Sequence, residues 1–187
     1  MRKVCFLFLT VFLILLCGCT GYREIDRGYL VTCMGISKTG EEYSIFLEVL
    51  SSSDVSDKPS EKQVLTSVGN SLYSSFEGLE TQLTKPLYFD QLGSVIFDNS
   101  LNEESIEFLK NITNINYGVY LVKSDKINAL FTFESPNGVL GYDIIGLIKN
   151  HNKKSDKRIS NQFFKVTKPS ARLPIITISN DRLTLNY

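Results

Sequence analysis

The residue with the clearest chemical signal is Cys19, which closes a short apolar run near the start of the chain. Two basic residues precede the apolar stretch 4–17, and Leu16-Cys17-Gly18-Cys19 ends it. A membrane-spanning helix needs about 20 apolar residues, so a run of about 14 predicts an export signal. A cysteine behind a small residue, with leucine three positions ahead, is the pattern on which bacterial lipoproteins are modified. We predict a lipoprotein signal peptide over 1–18; the alternative is an uncleaved anchor with an incidental cysteine.

Lipid attachment at Cys19 predicts stable membrane anchoring. The thiol takes a diacylglyceryl group and the new amino terminus takes an acyl group. A single acyl chain gives only marginal membrane binding, and this one residue carries more than one. Cys5 and Cys17 leave with the signal, and only Cys33 remains free in the exported part. No intramolecular disulfide is then possible. Cys33 lies in the apolar stretch 30–36, which favours a small buried hydrophobe over a nucleophile.

The other residue types that could do chemistry have simpler explanations. The sequence lacks a phosphate-binding glycine loop, a nucleophile elbow, paired cysteines and a zinc-protease motif. The single histidine, His151, lies in a hydrophilic stretch and is predicted to be a solvated surface residue. The acidic pairs Glu41-Glu42 and Glu103-Glu104 are predicted to lie in a turn and at a helix start. We therefore predict no enzymatic activity, no cofactor and no metal.

Composition and charge exclude several classes of protein. The 187 residues are 43% hydrophobic and carry 20 Lys+Arg against 20 Asp+Glu. This balance argues against a nucleic-acid binder that works through a general basic field, and it also argues against a disordered acidic tail protein. A basic run over 149–158 could contact anionic lipid headgroups. A solvated loop is the preferred interpretation of that run.

The first half of the exported part predicts a strand hairpin followed by a long helix. Residues 29–36 and 42–50 have strand composition on either side of Gly40. The stretch 51–60 is rich in serine and predicts a surface loop. Apolar residues at a spacing of three or four then predict an amphipathic helix over 61–83.

The second half alternates between strands and helices. Strands are predicted over 91–98, 117–122, 173–178 and 183–187, and helices over 102–111, 125–131 and 141–149. Asn102 is the expected N-cap of the first of these helices, and Asn180-Asp181 the turn between the last two strands. The fold class predicted is α/β (α+β), with a mixed β-sheet flanked by helices in a single domain after the signal peptide.

Several segments together resemble a known family. They are Gly18-Cys19, Tyr22-Arg23-Glu24-Ile25-Asp26, the strand 30–36, the segment from Lys85 to Ile96, Tyr120-Leu121-Val122 with the helix 125–130, and Leu173-Pro174. Their order and spacing resemble the N-terminal domain of the Ger(x)C spore germination lipoproteins, the C subunit of Ger-type germinant receptors. The chain departs from that pattern at Thr20-Gly21, where a Trp-Asp pair is usual, and at Ser37, where an aspartate is common.

The resemblance implies a function that the residues alone do not. Residues 19–187 are expected to be the N-terminal domain, with the family's C-terminal domains missing. The expected protein is a lipid-anchored, non-enzymatic subunit that responds to nutrient germinants on the outer face of the spore's inner membrane. Its expected partners are an A-type subunit and an integral-membrane B-type subunit. The alternatives are a generic lipid-anchored solute-binding or scaffold lipoprotein and, less favoured, a lipoprotein hydrolase.

Overall fold

A computed structural model describes residues 28–51, 61–99, 103–112, 119–154, 159 and 173–186. The predicted signal peptide, Cys19, the serine-rich stretch 52–60, the expected N-cap Asn102 and the end of the basic run at 155–158 lie outside the described residues.

The described residues form one mixed β-sheet. Its strands are β1 (Tyr29–Thr39), β2 (Glu42–Ser51), β3 (Glu61–Gly69), β4 (Leu87–Tyr88), β5 (Ser94–Phe97), β6 (Tyr120–Lys123), β7 (Ile175–Ser179) and β8 (Arg182–Asn186). The strand order is β3-β2-β1-β5-β6-β7-β8, and the short β4 pairs with the start of β1. β1, β5, β6 and β7 run parallel, whereas β1-β2-β3 and β7-β8 are antiparallel. The predicted mixed-sheet α+β domain is confirmed.

Helices cover both faces of this sheet. They are α1 (Leu72–Glu80), α2 (Glu103–Ile112), α3 (Ile127–Thr132) and α4 (Leu140–Lys154). Successive strand residues point to opposite faces, and the core divides accordingly. Met34 and Ile36 of β1 pack in the cluster that contains the apolar residues of α1 and α2, whereas Cys33 packs in the cluster with α3 and α4.

Local residue choice explains both tight turns of the sheet. Gly40 adopts a φ of 64° between β1 and β2, a left-handed conformation that glycine takes without steric cost. Asn180 and Asp181 have φ values of 51° and 54° between β7 and β8. Positive φ at both central positions is the hairpin turn whose twist matches the flanking strands, and Asn and Asp tolerate it. The predicted turn at these two residues is confirmed.

The helix predicted over 61–83 is wrong in its first half, because residues 61–69 form β3. Every residue of this strand pairs with β2 without a register shift. Val64 and Val68 recur every four residues, as in a helix, but with Thr66 they also occupy every second position of a strand. β-branched side chains favour the extended backbone, and pairing with β2 decides between the two periods. The helix begins only at Leu72, after the capping box that Ser71 and Ser74 form.

The basic run near residue 150 is helical in its described part. α4 continues through His151 to Lys154, five residues beyond the predicted end at 149. Lys153 and Lys154 occupy its last turn, where positive charge interacts favourably with the helix dipole. The preference for a solvated loop is therefore wrong for 149–154, because these residues extend the helix and also complement its dipole.

Candidate functional site

The predicted lipid site, Cys19, lies outside the described residues, but the point where its segment joins the domain is well defined. The Tyr29 amide donates a hydrogen bond of 2.9 Å to the Pro86 carbonyl oxygen. Tyr29 also pairs with Leu87 of β4. The segment that carries Cys19 therefore enters the sheet at the amino end of its parallel strands.

Cys33 is the one cysteine that the structure describes, and it is fully buried. Its Sγ lies 3.3 Å from the hydroxyl oxygen of Ser94. Burial raises the pKa of the Cys33 thiol far above its ordinary value, because the thiolate would be desolvated. The thiolate is the reactive form, so Cys33 is a buried hydrophobe rather than a nucleophile, as predicted.

The other predicted candidates occupy separate places. Glu41 lies in the β1-β2 turn, Glu42 opens β2, and Glu103 and Glu104 open α2, as the sequence predicted. His151 is half-buried in the last turn of α4 and not on a solvated loop. Within the described ranges, no group of three or more His, Cys, Asp or Glu side chains is placed to hold a metal ion.

A buried carboxylate that the sequence did not single out joins three elements of the fold. Glu48 of β2 is 1% exposed. Its Oε1 accepts a hydrogen bond of 2.7 Å from the Thr32 hydroxyl and one of 3.1 Å from the Gly141 amide, and its Oε2 accepts one of 2.8 Å from the Leu140 amide. The carboxylate thus binds the amino end of α4, where the helix dipole favours negative charge. No sequence signal connects a strand glutamate with a helix 92 residues later.

Thr32 reaches Glu48 because β1 has an irregularity at this position. The register of β1 on β2 shifts between Val31 and Cys33. Such a bulge re-aims the side chain of the extra residue, and here that residue is Thr32. Its carbonyl oxygen accepts a hydrogen bond of 3.0 Å from Gly93 on the opposite side of β1. Because of the bulge, Thr32 forms hydrogen bonds both to β2, through its side chain, and to the start of β5, through its backbone.

A second acidic residue fixes the loop before α4. The Asp143 carboxylate accepts hydrogen bonds from the Ser135 hydroxyl and from the side-chain amide of Asn137. It also accepts a bond of 3.2 Å from the Asn137 backbone amide. Both carboxylates near the start of α4 therefore have hydrogen-bond donors, and both have a structural role in positioning this helix.

The carboxyl ends of β1, β5 and β6 form a surface that we term the mixed-charge edge. Two adjoining shallow depressions lie there, and both include Asn99 and Asp125. The charged residues that line them are Lys38, Asp98, Lys123 and Asp125. Open sheets with parallel strands bind ligands at this end of the strands. The edge therefore offers positive and negative side chains, and hydrogen-bond donors and acceptors, for contacts with a partner.

A chain of hydrogen bonds orders one side of this edge. The Lys38 ammonium donates a bond of 2.9 Å to the Tyr43 hydroxyl, which donates one of 2.6 Å to Oε2 of Glu104. The hydrogen bond that the Lys38 ammonium donates to the Tyr43 hydroxyl favours the charged form and raises the pKa of Lys38 above its ordinary value. The Lys38 backbone amide donates a bond of 2.7 Å to Asp98. Glu104 therefore does more than begin a helix, which its sequence position alone did not indicate.

The fold and these surfaces define a class of protein. It is an α+β domain whose buried carboxylates position a helix, and whose charged edge lies at the carboxyl ends of its parallel strands. Among the helices that the structure describes, none is long and apolar enough to cross a membrane.

The family model of the spore germination protein N-terminal domain matches residues 21–178. This match covers most of the chain, and the protein belongs to that family, as the resemblance to the Ger(x)C proteins predicted. The family places the chain in spore germination. No curated protein and no solved structure matches it.

Proposed function

We propose that this chain is a lipid-anchored, non-enzymatic subunit of a spore germinant receptor. Cys19 carries the lipid and holds the domain on the outer face of the spore's inner membrane. There it works with an A-type subunit and an integral-membrane B-type subunit in the response to nutrient germinants. One observation carries the proposal: the family match begins at residue 21, directly behind a cysteine in a lipoprotein signal context.

The geometry of the domain is compatible with this arrangement. The chain between Cys19 and Gly28 spans at most about 30 Å when fully extended, so the amino end of β1 stays close to the membrane. The mixed-charge edge lies at the carboxyl ends of the parallel strands, opposite to the end at which β1 begins. This supports a role in which the edge, at the far end of the strands from the point of attachment, is free to meet proteins or solutes.

The experiment that tests the proposal compares two cysteine variants in spores. In a strain that lacks the chain, we expect the wild-type gene and a Cys17→Ala gene to restore nutrient-triggered germination. We expect Cys19→Ala to fail, because the protein then has no lipid to keep it on the membrane. Germination is followed as the loss of optical density after nutrient addition, and mass spectrometry of the purified chain reports the lipid.

Cys17→Ala is the matched control, because it removes a thiol two residues away in the same signal. Comparable chain levels in the three strains must be shown by immunoblot. Full restoration by a Cys19→Ala chain that carries no lipid would contradict the anchoring part of the proposal. An unchanged nutrient response in the strain without the chain would contradict the receptor part and favour a generic lipid-anchored scaffold or solute-binding protein.

A further inference from the structure

The outer edge of β3 is long, uncharged along most of its length and unpaired among the described strands. β3 ends the strand order of the sheet. From Gln63 to Gly69 it carries no charged residue and no proline, and its register on β2 is continuous. Natural edge strands are usually protected by charge, proline, a bulge or short length. β3 has none of these between Gln63 and Gly69.

Two valines on one side of this strand are unusually exposed. Val64 is 38% and Val68 is 54% exposed. Both point to the sheet face that α3 and α4 cover elsewhere. They pair with Glu48 and Ser44 of β2, which lie on the same face as Phe46, and Phe46 packs in the cluster with these two helices. Within the described ranges, the helical cover on this part of the face ends at β2, where Phe46 stacks on Phe131 of α3 at 5.5 Å. The valines therefore form an apolar strip beside an open strand edge.

The hydrogen-bond alternation shows which residues of β3 face outward. The Ile36 carbonyl oxygen of β1 accepts a hydrogen bond from the Asp98 backbone amide, on the β5 side. The even-numbered residues at this end of β1 therefore bond towards β5, and the odd-numbered ones towards β2. Backbone groups alternate sides along each antiparallel strand, so the odd-numbered residues of β3 bond to β2 and the even-numbered ones face outward. The Thr66 carbonyl oxygen agrees with this, since it accepts only a long bond of 3.4 Å from the exposed Gln82 side chain within the described structure.

The outward row is self-complementary about its centre. It reads Lys62, Val64, Thr66 and Val68. When two copies pair antiparallel with Thr66 opposite Thr66, each Val64 faces a Val68 of the other copy. Apolar and threonine cross-strand pairs stabilise a sheet, and no like charges oppose each other in this register. Pairing with β8 of another copy would be heterologous and would leave open ends.

We propose that β3 is a self-association surface that joins two copies of this chain edge to edge, in a two-fold register centred on Thr66. The two sheets then form one continuous sheet, and the four valines form one apolar strip across the junction. The occupant is a second copy because the strand is uncharged and matches itself residue by residue. This inference goes beyond the proposed receptor function and does not depend on it.

Cysteine cross-linking of the full chain in detergent tests the register. In a hydrogen-bonded antiparallel pair the facing Cα atoms lie about 5.5 Å apart, within disulfide range. We expect Thr66→Cys to give, on mild oxidation, a disulfide-linked band at twice the mass of the single chain. We expect Val64→Cys and Val68→Cys to stay at the wild-type background when alone and to cross-link when mixed. Thr66→Cys at the wild-type background, or Val64→Cys linking to itself equally well, would overturn the proposal.

Opposite charges introduced at Thr66 test whether the partner of β3 is a second copy of the chain. Thr66 is exposed, so Thr66→Lys and Thr66→Glu should leave the fold of the single chain intact, which circular dichroism of each variant checks. Each variant alone places like charges directly opposite, which destabilises a cross-strand pair, and we expect sedimentation velocity to show loss of the dimer. An equimolar mixture should regain it. A wild-type chain that sediments as a monomer, or a Thr66→Cys chain that cross-links to a different protein instead, would overturn self-association.

Discussion

At the residue scale, Glu48 is a buried side chain that joins three elements of the fold. Its carboxylate accepts hydrogen bonds from Thr32 of β1 and from the first two amides of α4, while its own backbone belongs to β2. Buried carboxylates are costly unless hydrogen bonds satisfy them. Here three donors do so, and their hydrogen bonds offset the desolvation cost of the carboxylate. The same bonds fix the position of α4.

The first prediction concerns this carboxylate. Glu48→Gln replaces one acceptor oxygen with an amino group that must face a backbone amide or the Thr32 hydroxyl. Hydrogen bonds to charged groups contribute about 1.5–3 kcal/mol, so we expect the free energy of unfolding to fall by about that amount. Denaturant unfolding followed by circular dichroism measures the change.

Glu42→Gln is the matched control, since it makes the same substitution at an exposed position of the same strand. We expect its effect to stay within about 0.5 kcal/mol. Equal effects of the two substitutions would contradict the role given to Glu48.

Sequence reasoning at this scale depended on whether a residue's partners were close in the chain. Cys33 could be assigned to the core because its neighbours over 30–36 are apolar. Glu48 could not be recognised, because its helical partners lie 92 and 93 residues later. The same holds for Tyr43 and Glu104, which are 61 residues apart.

At the element scale, the backbone of α4 lies so close to β1 at Gly141 that only a glycine fits there. A Cβ atom on Gly141 would lie 2.3 Å from the Thr32 carbonyl oxygen. A Cβ atom on Gly146, five residues further along the same helix, would meet nothing within 4 Å. The close approach at Gly141 is what brings the amide groups of α4 within reach of Glu48.

The second prediction follows from this contrast within one helix. Gly141→Ala must push α4 away from β1, and we expect a loss of about 1–3 kcal/mol in the free energy of unfolding, as for overpacked cores. Gly146→Ala should be neutral or stabilising by up to about 1 kcal/mol, because alanine has the higher helix propensity. Thermal unfolding of the two variants measures both, and a neutral Gly141→Ala would refute the close approach.

The elements predicted best were those with one clear period or a turn signal. The β1-β2 hairpin and the turn at Asn180-Asp181 formed as expected. Residues 61–69 were misassigned because Val64 and Val68 fit both a helical and a strand period. The choice was made by backbone pairing with β2, which no local pattern of residues encodes.

At the scale of the whole molecule, the class of fold was predictable but the order of its strands was not. Alternating strand and helix patterns indicated a mixed sheet with helices around it, and this was confirmed. That β5 lies beside β1, and that β3 is left at an edge, results from pairings between distant segments. The family was recognisable from short segments distributed along the chain, and the match over 21–178 confirms it.

The third prediction concerns assembly, which is the central claim of the proposed function. The chain carries charged, hydrogen-bonding contacts at the mixed-charge edge and belongs to a spore germination family. A receptor subunit must be found with its partners in the dormant spore, before any nutrient is added. A tag at the carboxyl end leaves the signal at Cys19 untouched.

The most direct measurement is therefore affinity purification of the tagged chain from detergent-solubilised dormant-spore membranes, with mass spectrometry of what accompanies it. We expect the A-type and B-type receptor subunits to be recovered with the wild-type and Cys17→Ala chains, and neither with Cys19→Ala. A chain that is lipid-anchored at Cys19 but recovered without either subunit would contradict the receptor assignment.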